Sequence, residues 1–296
     1  MMQSHLNKAL IVEGGAMRGV FSTGILDEFL EQDFNPFDIY YGVSAGAANL
    51  AAYLAEMPGR NLKIYTDYAL RPEFISLRKY LKGGHLMDLD WLWEVTIKEL
   101  RLDLATIYRR RKPFIVCLTE VLSGQAEYRQ TSAKDLEHLL KVSSALPILY
   151  RNFPRVDGRP MADGGLADAI PVAEAIRRGA TRIMVLRSRP FSYTKSESHL
   201  QSLLNWRLKE YPELQQLLAD RARRYNETLE LMRRPPAGVS IMEICPPESF
   251  KPSRLGKNVD VLLQGYQQGR EEGKRAMQDW QHGVTPPLQP RAPLNS

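Results

Sequence analysis

Short apolar blocks alternate with stretches of helical periodicity through the first two-thirds of the chain. Ala9-Leu10-Ile11-Val12 is an unbroken apolar run closed by glycines, the pattern of a strand covered on both faces. From Val20 to Leu30 the spacing changes, and Phe21, Ile25, Leu26, Phe29 and Leu30 fall on one side of a helix. Asp38 to Val43 predicts a second strand, and Ala45 to Leu54 a helix of almost only small residues, suited to close packing. Phe114–Thr119 and Ala126–Arg129, joined through Ser123-Gly124, have the pattern of a hairpin. A helix from Ala133 to Ser144 stops before Pro147. Another opens at Pro171 and runs to Arg178, and Arg182–Leu186 is a further buried strand. This alternation predicts an α/β fold with a mostly parallel central sheet.

Residues 59–112 are less regular and include Trp91-Leu92-Trp93 and the basic run Arg109-Arg110-Arg111-Lys112. After Pro190 the composition shifts. Leu200–Met232 predicts one long charged helix, Val239–Cys245 a strand and Leu255–Trp280 a last helix. The expected organisation is therefore an α/β unit over residues 8–190 and a mainly helical extension over 191–282 that adds a strand. A proline-rich tail over 283–296 is expected to be disordered.

Composition narrows the class. The chain has 296 residues, 44% hydrophobic and 25% charged, the balance of an ordinary globular protein. No apolar run approaches the ~18 residues of a membrane-spanning helix, and the first residues lack the layout of a secretory signal. Cys117 and Cys245 sit in apolar strand-like runs, as buried free thiols do. These features predict a cytoplasmic protein, peripheral to the membrane at most. The net charge of +6 suits anionic partners, but it is spread along the chain and reads first as basic surface for solubility. No nucleic-acid partner is expected. Arg221, Arg223, Arg224, Arg233 and Arg234 are expected on a solvated helix face, and Trp91 and Trp93 in core rather than in an interfacial lid. No metal-ligand spacing occurs, so no metal or other cofactor is expected.

Three segments carry chemistry. Gly42-Val43-Ser44-Ala45-Gly46 is Gly-x-Ser-x-Gly between a predicted strand and a predicted helix. Its glycines permit a sharp elbow that exposes the serine hydroxyl at a helix N-terminus. Gly14-Gly15-Ala16-Met17-Arg18-Gly19 is a second strand-to-helix turn, whose small residues present backbone N–H groups to an oxyanion or a phosphate. It lacks the Gly-Lys-Ser/Thr end of a Walker loop, and it has Ala16 where a dinucleotide fingerprint needs glycine. Asp163-Gly164-Gly165, taken alone, is an ordinary turn.

Together and in this order, the three segments resemble the patatin-like phospholipase family. Ser143-Ser144-Ala145-Leu146-Pro147 and Ile170-Pro171-Val172 are also similar to segments of that family, and the resemblance covers roughly residues 8–190. It implies a three-layer patatin-like fold and a Ser–Asp dyad acting on lipid or other acyl esters, with Ser44 as nucleophile and Asp163 as base. It further implies that residues 14–19 supply the oxyanion donors and that Arg18 holds the family's basic position. Ala16 departs from the family pattern, which has glycine there. Its N–H survives as a donor, but a positive φ at alanine costs on the order of 1 kcal/mol.

An acyl-serine can also be resolved by an alcohol, giving an acyltransferase, and a non-catalytic lipid- or partner-binding module would keep the same fold. A Ser-His-Asp triad is the mechanistic rival. Of His5, His85, His138, His199 and His282, the chain order of an α/β-hydrolase leaves only the last two, and neither follows a core strand.

Overall fold

The computed structural model of the chain describes residues 7–197 and 208–283. The tail expected beyond Gly283, His5, His199 and the first part of the helix predicted from Leu200 lie outside the described residues.

Strands β1 (Lys8–Val12), β2 (Ile39–Val43), β3 (Phe114–Glu120) and β7 (Arg182–Leu186) form the parallel centre, and β8 (Ser240–Ile244) adds to it. With β4 (Ala126–Gln130), β5 (Arg155–Val156) and β6 (Arg159–Asp163) they make an eight-stranded sheet of order β5-β6-β3-β2-β1-β7-β8, with β4 also paired to β3. The pairs of β1 with β2 and β7, of β2 with β3 and of β7 with β8 are parallel. The remaining pairs are antiparallel.

Successive strand residues point to opposite faces, so each central strand feeds two cores. Leu10, Val12, Val116, Leu118, Met184 and Leu186 face one side. Helices α1 (Val20–Glu31), α2 (Ala45–Leu54) and α7 (Leu136–Ser143) cover that side with Phe21, Ile25, Leu50 and Leu139. Ala9, Ile11, Ile115, Ile183 and Val185 face the other side, under Val172 and Ala175 of α8 (Val172–Arg177). The result is the three-layer α/β arrangement expected, with a mostly parallel sheet in the middle.

The segment after residue 190 is built into this body. Beyond α9 (Pro212–Ala219), α10 (Arg221–Arg233) lays Tyr225, Leu229 and Met232 on the second face of the sheet. Strand β8 extends the sheet beside β7. The last helix, α11 (Val259–His282), adds Met277 and Trp280 to the first core. Helices α1 and α11 touch backbone to backbone at Gly24 and Gly269, where a Cβ on Gly269 would lie 2.1 Å from the Phe21 carbonyl oxygen.

Two expectations need correction. The described part of the single helix predicted over 200–232 is two helices, which meet at Asp220. The stretch 59–112 is not irregular. It folds into four short helices: α3 (Arg60–Thr66), α4 (Leu77–Leu81), α5 (Leu89–Glu99) and α6 (Leu104–Arg109). Asp88 and Asp103 start the last two by accepting the N–H groups of Trp91 and Thr106. Both caps are visible in the sequence, but the helices that follow are too short for their periodicity to stand out.

Candidate active site

Strand β3 brings the site together. Cys117 pairs with Val43 of β2 on one edge and with Tyr128 of β4 on the other. The next residue, Leu118, pairs with Asp163 of β6 and with Glu127 of β4. Because β4 holds one edge throughout, β2 and β6 must share the opposite edge, in consecutive stretches. One runs parallel to β3 and the other antiparallel, so their C-terminal ends meet. The residue after β2 is Ser44, and the last residue of β6 is Asp163. The Ser44 hydroxyl donates to Asp163 Oδ2 at 2.7 Å.

Ser44 occupies φ 53°, ψ −128° as the residue before α2, a strained conformation of the kind a nucleophile elbow requires. Its N–H donates to Ser143 Oγ at 2.8 Å, and that hydroxyl donates in turn to the Cys117 carbonyl at 2.7 Å. Gly46 lets the helix start against β1, since a Cβ there would lie 2.3 Å from the Val12 carbonyl oxygen. Gly42 and Val43 end β2, and Ala45 opens α2.

Asp163 is 5% exposed. Its Oδ1 accepts the Gly165 N–H at 2.8 Å, its carbonyl accepts the Thr119 hydroxyl at 2.8 Å, and its N–H donates to the Ala145 carbonyl. Gly164 begins the turn against β3. Burial pushes the Asp163 carboxyl above the ordinary carboxylate range. The hydrogen bonds from Ser44 and Gly165 and the charges of Arg221 and Arg254 pull the other way without cancelling it.

The 14–19 loop lies against the same point. A Cβ on Gly14 would sit 2.8 Å from Ser44 Cβ. Within the loop the N–H groups divide. Those of Met17 and Arg18 are spent on the carbonyls of Arg254 and Gly15, whereas those of Gly14, Gly15 and Ala16 have no acceptor among the described residues. Ala16 has φ 49°, so the departure from glycine falls where alanine is strained. The loop is clamped to the segment after β7: the Ser188 hydroxyl donates to the Gly14 carbonyl, and Arg18 Nε donates to the Ser188 carbonyl. Beneath it, Glu13 accepts the Ser188 N–H and the Tyr225 hydroxyl and lies 3.6 Å from the fully buried Arg187, which also pairs with Glu243.

Ser44, Asp163 and Gly14–Arg18 all line one cavity of about 180 Å³. Much of its lining is apolar, including Phe74, Met87, Leu92, Trp93, Leu140 and Leu149. Trp91 and Trp93 are half-buried beside this apolar lining, and Leu92 is buried in it. No histidine lines the cavity among the described residues. His85 accepts the Arg151 N–H and stacks on Tyr150, His138 is held at the exposed surface by the Arg155 carbonyl, and His282 ends α11. No cluster of metal ligands and no helix long and apolar enough to cross a membrane occurs among the described residues. Cys117 and Cys245 are free thiols, pushed up by burial, Cys245 to about 12.

The arginine expectation is overturned in part. Arg223 is exposed, with Asp220 and Glu227 as partners. Arg221 instead lines the cavity and donates twice to the Gly165 carbonyl, and Arg233 donates to the Phe191 carbonyl. Thr119, which ties down Asp163, also went unpredicted. Its threonine sits in a strand with nothing local to single it out. Ser143 was marked only as the first residue of the 143–147 segment that resembles the family.

A model of the patatin-like phospholipase family matches residues 10–176, more than half of the chain, and the chain belongs to that family. Membership implies lipid acyl hydrolase activity. A domain of unknown function, DUF6363, matches residues 211–284. The uncharacterised protein YjjU of Escherichia coli K12 is 34% identical over 281 residues, 90% of this chain and 76% of its own length. An uncharacterised NTE family protein of Mycobacterium tuberculosis is 26% identical over 172 residues, 56% of this chain and 44% of its own. The crystal structure of VipD from Legionella pneumophila overlaps 93% of this chain and 67% of that one, at a TM-score of 0.46 and 12% identity.

Proposed function

We propose that the chain is a serine ester hydrolase of lipid acyl esters working through a Ser44–Asp163 dyad. The observation that carries this reading is the 2.7 Å contact between the two side chains at the polar end of a largely apolar cavity.

A hydroxyl is a poor nucleophile until a neighbouring base takes its proton. Asp163 takes the Ser44 proton as Oγ bonds to the ester carbonyl carbon, and the carbonyl π pair moves to oxygen. The raised carboxyl makes Asp163 a better base than an exposed aspartate. The N–H groups of Gly14, Gly15 and Ala16 are the donors left for the oxyanion, each good donor being worth about 3–4 kcal/mol. Collapse breaks the bond to the alcohol, which leaves with the proton from Asp163. Water then attacks the acyl-serine and gives a proton to Asp163. The carboxylic acid departs, and Ser44 recovers its proton. The apolar lining accommodates an acyl chain by burial alone.

The test is labelling by a fluorophosphonate together with hydrolysis of p-nitrophenyl esters. The parent protein should do both, and Ser44→Ala should do neither while keeping its fold. Undiminished hydrolysis by Ser44→Ala would refute the reading.

A further inference from the structure

The charge around the cavity is one-sided. Arg18, Arg189, Lys195, Arg221 and Arg254 all line it, as does Arg60, which is held by the Leu100 carbonyl and Asn61, and among the described residues none of the first five forms an ion pair with a carboxylate. Arg18 and Arg221 donate only to carbonyls, those of Ser188 and Gly165. Arg189 lies over the Tyr193 ring at 4.4 Å, and Lys195 over the Tyr225 ring at 5.4 Å. The acids lining the same space are already engaged: Asp163 with Ser44, Glu13 with Ser188 and Tyr225, and Glu137 with Arg101. Burial lowers Arg18 to about 10, and Arg189 and Arg254 add repulsion. Burial lowers Lys195 to about 7, and Arg221 and Arg254 push in the same direction. Charging five basic groups together in a half-buried space is costly unless an anion joins them.

We propose that these five side chains form a subsite for a phosphate monoester carried on the alcohol part of the substrate, so that the preferred substrates are acylglycerol-phosphate-like esters. The inference rests on the hydrolase reading of Ser44 and adds the headgroup. Guanidinium forks match phosphate oxygens two at a time, and a dianion answers more of the positive charge than a diester does. A zwitterionic headgroup fits poorly, because its ammonium would face the same five cations. The two tyrosine rings beside these side chains, Tyr193 and Tyr225, already carry Arg189 and Lys195. The subsite is built jointly. Arg18 comes from the glycine loop, Arg189 and Lys195 from the segment after β7, and Arg221 and Arg254 from the region after residue 208.

The Ser44→Ala chain, which cannot turn substrate over, should be titrated with lysophosphatidate and lysophosphatidylcholine of one acyl length. Lysophosphatidate should bind about tenfold tighter or better, and Arg254→Gln and Lys195→Gln should each remove most of that preference. Equal affinity for the two lipids, or a preference that survives both substitutions, overturns the proposal. Inorganic phosphate and glycerol 3-phosphate distinguish the source of the anion. They should compete weakly, and either one binding as tightly as lysophosphatidate would mean a site for soluble phosphate, which also overturns it. This binding does not depend on catalysis, so a parent protein silent to fluorophosphonate would defeat the hydrolase reading while leaving the headgroup result to stand by itself.

Discussion

Arg221 grips the carbonyl of Gly165 with two hydrogen bonds, of 3.1 and 2.8 Å, and so ties α10 to the turn that positions Asp163. The same guanidinium is one of the charges holding the Asp163 carboxyl down against the effect of burial. Removing it should raise the pKa of Asp163, so that the base is protonated, and activity lost, at a higher pH. Arg221→Met is therefore expected to move the acid limb of kcat/KM upward on a neutral p-nitrophenyl ester. Arg221→Lys keeps the charge and loses the fork, so it should lower kcat with a smaller displacement of the limb. An acid limb unmoved in Arg221→Met would show that the contact is only structural.

Asp163→Asn should cost about 10²-fold or more in kcat, since an amide cannot accept the serine proton. Its effect on stability should run the other way. A carboxyl whose folded pKa lies above its unfolded value favours the folded state fully only below the unfolded pKa, and loses that contribution as pH rises through the folded pKa. At neutral pH the ionised group is thus a burden that the amide relieves. The thermal midpoint of Asp163→Asn at pH 7 should equal or exceed that of the parent, and the difference should shrink on acidification. A clear drop at pH 7 would contradict the assigned direction.

Ala16 can be tested in two directions because its φ is 49°. Glycine there should stabilise the chain by about 0.5–1 kcal/mol, the relief of a left-handed alanine less the added freedom of the unfolded chain. Valine should destabilise it, since a branched Cβ is worse still at positive φ. Urea denaturation of the two variants should place them on opposite sides of the parent. Both on the destabilised side would count against the strained loop.

Arg187 is fully buried between Glu13 and Glu243. Arg187→Met should cost about 3–5 kcal/mol, because it leaves buried Glu13 without its cation and Glu243 with only Arg233 at 3.8 Å. It should also loosen the glycine loop, as Glu13 positions Ser188. A loss below about 1 kcal/mol by urea denaturation would mean that solvent reaches the pair.

The proposed Ser44–Asp163 dyad makes no demand on imidazole. His85→Gln, His138→Gln and His282→Gln should each keep kcat/KM within about tenfold of the parent, because none of these rings lines the Ser44 cavity. Elimination of activity by any one of them, in a folded protein, would bring back a triad.

What could be read from the chain alone was whatever a few neighbouring residues decide. The buried strands at 9–12, 39–43, 114–119 and 182–186 show as apolar blocks, and the elbow at Ser44 and the turn at Asp163 show as glycine-bounded motifs whose backbone needs are local. Family resemblance also linked those motifs, but it did not show why they meet. That depended on pairing: β2 and β6 share one edge of β3, so residues far apart in the chain meet end to end. Register between strands is set by long-range hydrogen bonding and by both sheet faces at once, and no window of sequence records it. The same reason hid Arg221, Thr119 and the cationic subsite. On its own helix Arg221 is one more basic residue in a charged run. Only the packing of α10 over the Asp163 turn makes it a buried partner of the site. The sign of φ at Ala16 was likewise left open by the sequence; in the fold it is positive, in a loop held by Ser188 at Gly14 and by Arg254 at Met17.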